Sequence, residues 1–191
     1  MSDPAEAEPY RLAASPSHLL HRAEQLAADR FAHLVNGEIT LRQFAVLAAI
    51  AQRPGLRQSD LVRETGIDRS TLADMLTRMQ KRGWVTRATH ALDHRAQSVH
   101  LAGAGATILA GATKHARAAD AAILDALPRT KRRPFLNLLT KLAVFADETA
   151  EKAEREAKRE AKRQAKARVK AQATAKSKAR AKQKRSVKAR D

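Results

Sequence analysis

Apolar residues recur at three- and four-residue spacing along most of this chain, the period of helices with one buried side. The first such row is Leu19, Leu20, Ala23, Leu26, Ala27, Phe31 and Leu34. Ser15 suits the cap of this helix and Pro16 its first position, and Asn36-Gly37 ends it, with glycine available for a left-handed cap. Thr40-Leu41-Arg42-Gln43 is a capping-box pattern. It opens a second, mostly apolar helix, Phe44 to Ala51, stopped by Arg53-Pro54-Gly55. A short helix from Gln58 to Thr65 turns Leu61 and Val62 inward. Gly66-Ile67-Asp68 then forms a turn, with Ile67 inward and Asp68 as the cap of a fourth helix, Arg69 to Arg82. Leu72, Met75, Leu76 and Met79 form its apolar stripe. Ser70, Asp74, Thr77 and Lys81 form the opposite one, flanked by Ala73 and Arg78.

After Gly83 the pattern changes. Trp84 to Arg87 and Ser98 to Leu101 read as two strands of a hairpin around a polar loop, His90 to Gln97, with Trp84 in the core. A long Ala-rich helix, Ala104 to Leu127, follows, with Ile108, Ala112, Ala116, Ala119, Ile123 and Leu127 on one side. Gly105 and Gly111 weaken it by ~1 kcal/mol each relative to Ala, so packing has to hold it. Pro128 ends it, and Thr130 caps a last helix that aligns Phe135, Leu138, Leu139, Leu142 and Phe145. Pro134 falls in the first turn, where no internal amide bond is lost. Lys131, Arg132 and Arg133 sit at that helix's positive end, which is unfavourable, and the sequence gives no reason for them.

Charge changes the picture at the far end of the 191 residues. From Glu151 to Asp191 seventeen Lys and Arg stand against five Asp and Glu, so that stretch carries +12 of the net +17. Glu151/Arg155 and Glu154/Lys158 are favourably ordered helix pairs. Beyond about Arg163 like charges repel and nothing apolar remains to bury, so disorder is expected. Such a segment suits a polyanion, with affinity that falls steeply with salt; a purely solubilising extension is the plainer reading. The absence of cysteine removes disulfides, thiolate nucleophiles and zinc-finger sites. His90 and His94 flank Asp93, and His18 and His21 lie one helical turn apart, but neither pair makes a recognised metal-ligand set. No metal or cofactor is expected. The acidic start, Met1 to Glu6, has no apolar run behind it, and the run from Phe44 to Ala51 is far short of a membrane span. A soluble, cytoplasmic protein is expected, with no membrane partner.

The order helix, helix, helix, helix, hairpin, long helix, helix is that of a winged helix-turn-helix protein, mainly α with a small β-hairpin. Gln58-Ser59-Asp60-Leu61-Val62, Gly66, Ser70-Thr71-Leu72, Leu76-Thr77-Arg78-Met79, Gly83-Trp84-Val85, Asp93-His94-Arg95 and Leu101-Ala102-Gly103-Ala104-Gly105 bring it closer. Over about residues 15–150 the chain resembles the MarR (multiple antibiotic resistance regulator) family. The resemblance implies an obligate homodimer with interlocking terminal helices, a recognition helix in the major groove and a wing-tip Arg in the minor groove. Ala102 stands where the family has Thr, so the cap of the long helix is weakened. The bases opening the last helix replace the family's usual acids, and the basic tail lies outside its pattern. The expected organisation is a flexible arm over 1–14, a dimerisation helix over 15–39, the winged helix-turn-helix domain over 40–104, two further dimerisation helices over 105–150, and a tail over 151–191, helical at its start and then disordered.

A helix that reads DNA needs polar side chains away from its own core, near its N-terminal half. Ser70 and Thr71 with Asp74 and Thr77 meet this, although any surface helix has a solvated face. Arg95 is the candidate for the minor groove. Asp93 either aims that guanidinium or makes an Asx-turn. Arg69, Arg78, Lys81 and Arg87 are candidates for phosphate contacts, which set affinity and register rather than sequence. A dimer would set two such helices about 34 Å apart and favour a near-palindromic site. Arg30 falls inside the first helix's apolar row and His33 at its edge. Either Arg30 pairs with an acid or reaches solvent by its stem, or it anchors a small anionic or aromatic effector, since family members often bind aromatic carboxylates or acyl compounds near this helix.

The reading that follows is a ligand-responsive, sequence-specific regulator of transcription, a repressor, nucleoid-associated when bound, with the tail adding non-specific affinity for double-stranded DNA. The alternative is an architectural nucleoid protein with little sequence preference. No nucleophile elbow, phosphate-binding Gly loop or zincin helix marks an enzyme.

Overall fold

A computed structural model describes residues 10–90 and 93–188, with side chains at 10–89 and 97–167. The chain divides into two units, Met1–Arg132 and Arg133–Asp191. The first holds helices α1 (Pro16–Leu34), α2 (Leu41–Gln52), α3 (Gln58–Thr65), α4 (Arg69–Lys81) and α5 (Gly103–Asp125), with strands β1 (Leu56–Arg57), β2 (Val85–His90) and β3 (Asp93–Leu101). The last helix, α6 (Arg129–Lys188), begins in this unit and makes up the second. The fold is a mostly helical winged helix-turn-helix.

The starts of α1, α2 and α4 are where their capping residues place them, whereas α6 begins at Arg129, before the expected cap Thr130. Ser15 Oγ accepts from the His18 amide, and Thr40 and Gln43 form the full capping box at the start of α2. Tyr10 donates its hydroxyl to Ser15 Oγ at 2.6 Å, and Leu12–Ala14 form a 3-10 turn. The remainder of the expected arm, residues 1–9, lies outside the described residues. Ala102 at the start of α5 offers no side-chain cap, as its substitution for a hydroxyl residue implies.

One core joins α2, α3, α4, the sheet and the small face of α5. Phe31, Leu47, Ile50, Leu61, Leu72, Leu76 and Met79 are fully buried in it, and Trp84, Val85 and Val99 close it from the sheet. Phe31 meets Phe44 at 5.4 Å between ring centres. Ala112, Ala116 and Ala119 are the buried side of α5, where small residues allow close approach. Gly105 has a sharper reason. A Cβ there would collide with the Trp84 carbonyl oxygen, so α5 crosses the base of the wing backbone against backbone.

Three features differ from the sequence reading. The sheet has a third strand, in the order β1-β3-β2, because Leu56 and Arg57 pair with Val99 and Ser98; a two-residue strand carries no period to detect. The wing strands are longer than four residues, continuing through Thr89↔Gln97 to His90↔Asp93 with a register shift after Thr89. Most of the polar loop is therefore ladder, since an exposed ribbon needs backbone pairing and not apolar alternation. Finally, α6 continues to Lys188, beyond the end expected near Arg163. Ala, Lys, Arg and Gln are strong helix formers, and Glu151–Arg155 at 3.2 Å, Glu154–Lys158 at 2.7 Å and Glu160–Gln164 at 3.3 Å support its middle.

The base-rich start of α6 also acquires a role. Arg132 Nε donates to the Leu127 carbonyl at 3.2 Å, and its guanidinium pairs with Asp125 at 2.9 Å. One base thus caps the end of α5 while sitting at the start of α6, which offsets its unfavourable position.

The two glycines of α5 should separate cleanly. Gly105→Ala forces the wing and helix apart and should cost about 3 kcal/mol. Gly111, where an added methyl group would meet nothing within 4 Å, should gain ~1 kcal/mol as Ala. Urea unfolding of the two variants measures both signs.

Candidate nucleic-acid interface

The interface is built outward from the turn between α3 and α4. Gly66 takes the left-handed conformation at φ 66° and donates its N–H to the Val62 carbonyl at 2.9 Å. Thr65 Oγ1 donates to the Leu61 carbonyl at 2.7 Å, closing the last turn of α3. Ile67 is then buried, and Asp68 caps α4 by accepting from the Thr71 amide at 2.9 Å and the Ser70 hydroxyl at 2.7 Å. Hydrogen bonds from Thr71, and then Ser70, hold the Asp68 carboxyl well below the usual carboxylate range. Arg57 grips Asp60 through two guanidinium bonds of 3.1 and 3.2 Å, and with burial opposing them they lower that carboxyl as well.

With Leu72, Met75, Leu76 and Met79 inward, the rest of α4 is fixed outward. Arg69, Ser70, Asp74, Thr77, Arg78 and Lys81 are exposed, and Thr71 is half-buried beside the cap. The sequence-derived candidates on this helix therefore share one face. Gln58 Nε2 donates to the Arg69 carbonyl at 3.4 Å, tying α3 to the start of α4.

Arg87 lies in β2 opposite Val99 and is half-buried. Asp93 and Arg95 lie at the start of β3, in the ladder rather than in a loop; the expected uses of their side chains fall outside the described ones. The wing's root is cross-linked by side chains: Ser98 Oγ donates to the Ala88 carbonyl at 3.2 Å and stands 3.0 Å from His100 Nε2. Trp84, under the Arg82 guanidinium at 5.0 Å, fills the corner beneath it.

Arg30 and His33 are exposed on α1, and His33 Nδ1 lies 2.9 Å from the Asp29 carbonyl. The expectation that Arg30 sits within a buried row fails because only Phe31 of that row is buried in this chain. Neither residue lines the cleft that the fold provides. That cleft, of about 450 Å³, lies between Glu24 of α1, Leu41, Arg42 and Ala45 of α2, and Thr65 to Asp68 of the turn. Arg42 pairs with Glu24 across its mouth at 3.1 Å. Sequence reasoning missed Arg42, which reads there only as a filler of the capping box; the partner eighteen residues away carries no signal. Among the described residues, no cluster of three or more metal-ligating side chains occurs, and no helix is long and apolar enough to cross a membrane.

Known proteins share this arrangement. Residues 38–96 match the model of the MarR family. Over 125 residues the chain is 34% identical to the transcriptional regulator HosA of Escherichia coli, covering 65% of this chain and 92% of HosA. The PcaV transcriptional regulator from Streptomyces coelicolor, solved in complex with its natural ligand, superposes with a TM-score of 0.66 at 27% identity, over 73% of this chain and 99% of that one. The transcriptional repressor CouR, solved on a 23-mer DNA duplex, gives 0.62 at 27% identity over 73% of this chain and 99% of its own.

The Asp68 cap makes a pH prediction. A carboxyl depressed by folding stabilises above its unfolded value of about 3.9, and the contribution is lost as pH falls toward the folded value. Asp68→Asn keeps a capping oxygen without the charge. The wild-type Tm should exceed the variant's at pH 6, and the gap should start to narrow at about pH 4 and shrink steadily as pH falls further.

Proposed function

The chain belongs to the MarR family of DNA-binding transcriptional regulators, which are not enzymes, and from that premise we propose that it is a ligand-responsive repressor. It acts in the bacterial cytoplasm as a homodimer on a near-palindromic site. The observation that carries this reading is the one-sided exposure of α4. Its apolar stripe is wholly consumed by the core, and its polar stripe is exposed, bonded only within its own helix and cap. Ser70, Thr71, Asp74 and Thr77 face the major groove, while Arg69, Arg78, Lys81 and Arg87 meet phosphates and set register. Arg95, assisted by Asp93, enters the minor groove from the wing.

Homodimer formation is supported by apolar rows left uncovered within one chain. Leu19, Leu20 and Leu26 on α1 are 45–49% exposed, and Leu138, Leu142 and Phe145 on α6 are 51–66% exposed. Rows of this kind mark an interface rather than a solvated surface. Residues 15–39 and 105–150 are then dimerisation segments around the DNA-binding domain of 40–104. The tail over 151–191 adds sequence-independent affinity through released counterions.

Effector response is supported by the cleft against the α3–α4 turn. A small aromatic or other acid bound there takes Arg42 from Glu24, an exposed pair worth no more than about 1 kcal/mol, and bears on the cap of the recognition helix. The Mycobacterium tuberculosis MarR-family protein Rv2887 is solved with salicylic acid, and DNA binding by BpsR of Bordetella bronchiseptica is regulated by 6-hydroxynicotinic acid, so such ligands are the class to screen. Arg30 and His33 are the competing anion partners on α1.

A footprint at rising competitor concentration tests the central reading. It should show a short symmetric site with two protected faces about 34 Å apart; uniform smearing would favour an architectural role. Removing residues 151–191 should leave that footprint in place and flatten the slope of log affinity against log salt, by roughly 0.9 for each phosphate that the tail neutralises. Salicylate titration of the DNA complex separates the effector sites: Arg42→Ala should blunt dissociation about tenfold or more, Arg30→Ala much less. The opposite ranking would move the site to α1.

A further inference from the structure

The hydroxyl hydrogens of two residues on the outward stripe of α4 are already spent. Ser70, Asp74 and Thr77 lie four and three residues apart, within about 60° of one another around the helix at about 100° per residue. Ser70 donates its hydroxyl hydrogen to Asp68 Oδ1 at 2.7 Å, and Thr77 donates its own to the Ala73 carbonyl at 2.9 Å. Each hydroxyl has one hydrogen, so what each still offers outward is a lone pair. Asp74 between them is a carboxylate and can only accept. Three of the four groups on the outward stripe are therefore acceptors, Lys81 at its C-terminal end is a cation, and the neighbouring Ala73 offers neither donor nor acceptor.

We infer that α4 reads the exocyclic amino groups of cytosine and adenine, the donors that the major groove presents, with Asp74 on a cytosine N4 amino group. The inference rests on α4 being the recognition helix and adds which base edges it selects. Guanine O6 and N7 and thymine O4 are acceptors; set against this stripe they leave lone pair facing lone pair. Asp74 sharpens the choice because its charge is repelled by the surrounding phosphates. Only a donor placed against it compensates, so the residue trades general affinity for discrimination. The flanking Arg69 and Arg78, with Lys81 at the end of the stripe, supply the affinity that the three acceptors withhold.

The experiment selects duplexes from a random pool with the full chain, then measures affinity for the selected site, a scrambled duplex and single-transition variants. A C·G to T·A change replaces the amino donor at one groove position by a carbonyl acceptor. It should weaken the wild-type complex about tenfold at the Asp74 position. Asp74→Ala should erase that difference while raising affinity for the scrambled duplex, a split that a merely solvated carboxylate would not produce. Ser70→Ala should lower discrimination at the adjacent position without changing scrambled affinity. If a site is selected but Asp74→Ala leaves every transition penalty unchanged, the base assignment is wrong while the regulator reading stands. If no site is selected, both fall.

Discussion

The geometry of this protein depends on the packing of α4 against α3 across a turn of three residues. Burying Leu72, Leu76 and Met79 beside Leu61 contributes about 2 kcal/mol per side chain, and no rotation of the helix keeps that burial. The left-handed Gly66 sets the crossing, Ile67 pins it to the core, and Asp68 starts the helix at a fixed residue. A slip of one residue would turn each position by about 100° and bring Asp74 toward the core. The face offered to a partner is thus determined by the core, not by the residues on it.

That dependence explains what is legible in the sequence. Caps are local chemistry, so Ser15, Thr40 with Gln43, Gly66 and Asp68 can be assigned from neighbours alone. The α4 stripes are a period of one helix, equally local. The parts that escape are non-local or weakly periodic. Strand β1 exists only because Val99 is opposite Leu56, and the outer wing is held by a ladder between polar residues. The Glu24–Arg42 pair joins two helices, and the close approach of Gly105 to Trp84 joins α5 to the wing. In each case the deciding partner lies elsewhere in the chain, and no window of neighbours contains it.

The row on α1 shows a related limit. Leu19, Leu20, Leu26 and Phe31 share a helical side, yet Phe31 alone is buried. Periodicity reports that a face will be covered without naming what covers it. Arg30 looks like an intruder in a buried row only while the row is assigned to the chain's own core. With a second copy as the cover, a long cation beside an apolar seam is ordinary, since its stem packs while its head stays wet.

The same separation of tasks holds for charge. Affinity for a polyanion needs only cations within reach, and the chain concentrates them in the low-complexity stretch after Glu160, where the run that begins at Lys162 meets no acid before Asp191. Such a run attracts any duplex equally, because phosphates are the same at every step. Discrimination needs the reverse: a group that loses when the wrong edge arrives. A stripe of acceptors flanked by arginines does this, since mispairing leaves a lone pair and a carboxylate desolvated without a donor, a cost that a cation in the same place would not impose. Keeping positive charge away from Ser70, Asp74 and Thr77 and placing it in the tail are then two halves of one balance. On the proposed reading the tail would raise the time spent on DNA of any sequence, and α4 would decide where that time is spent.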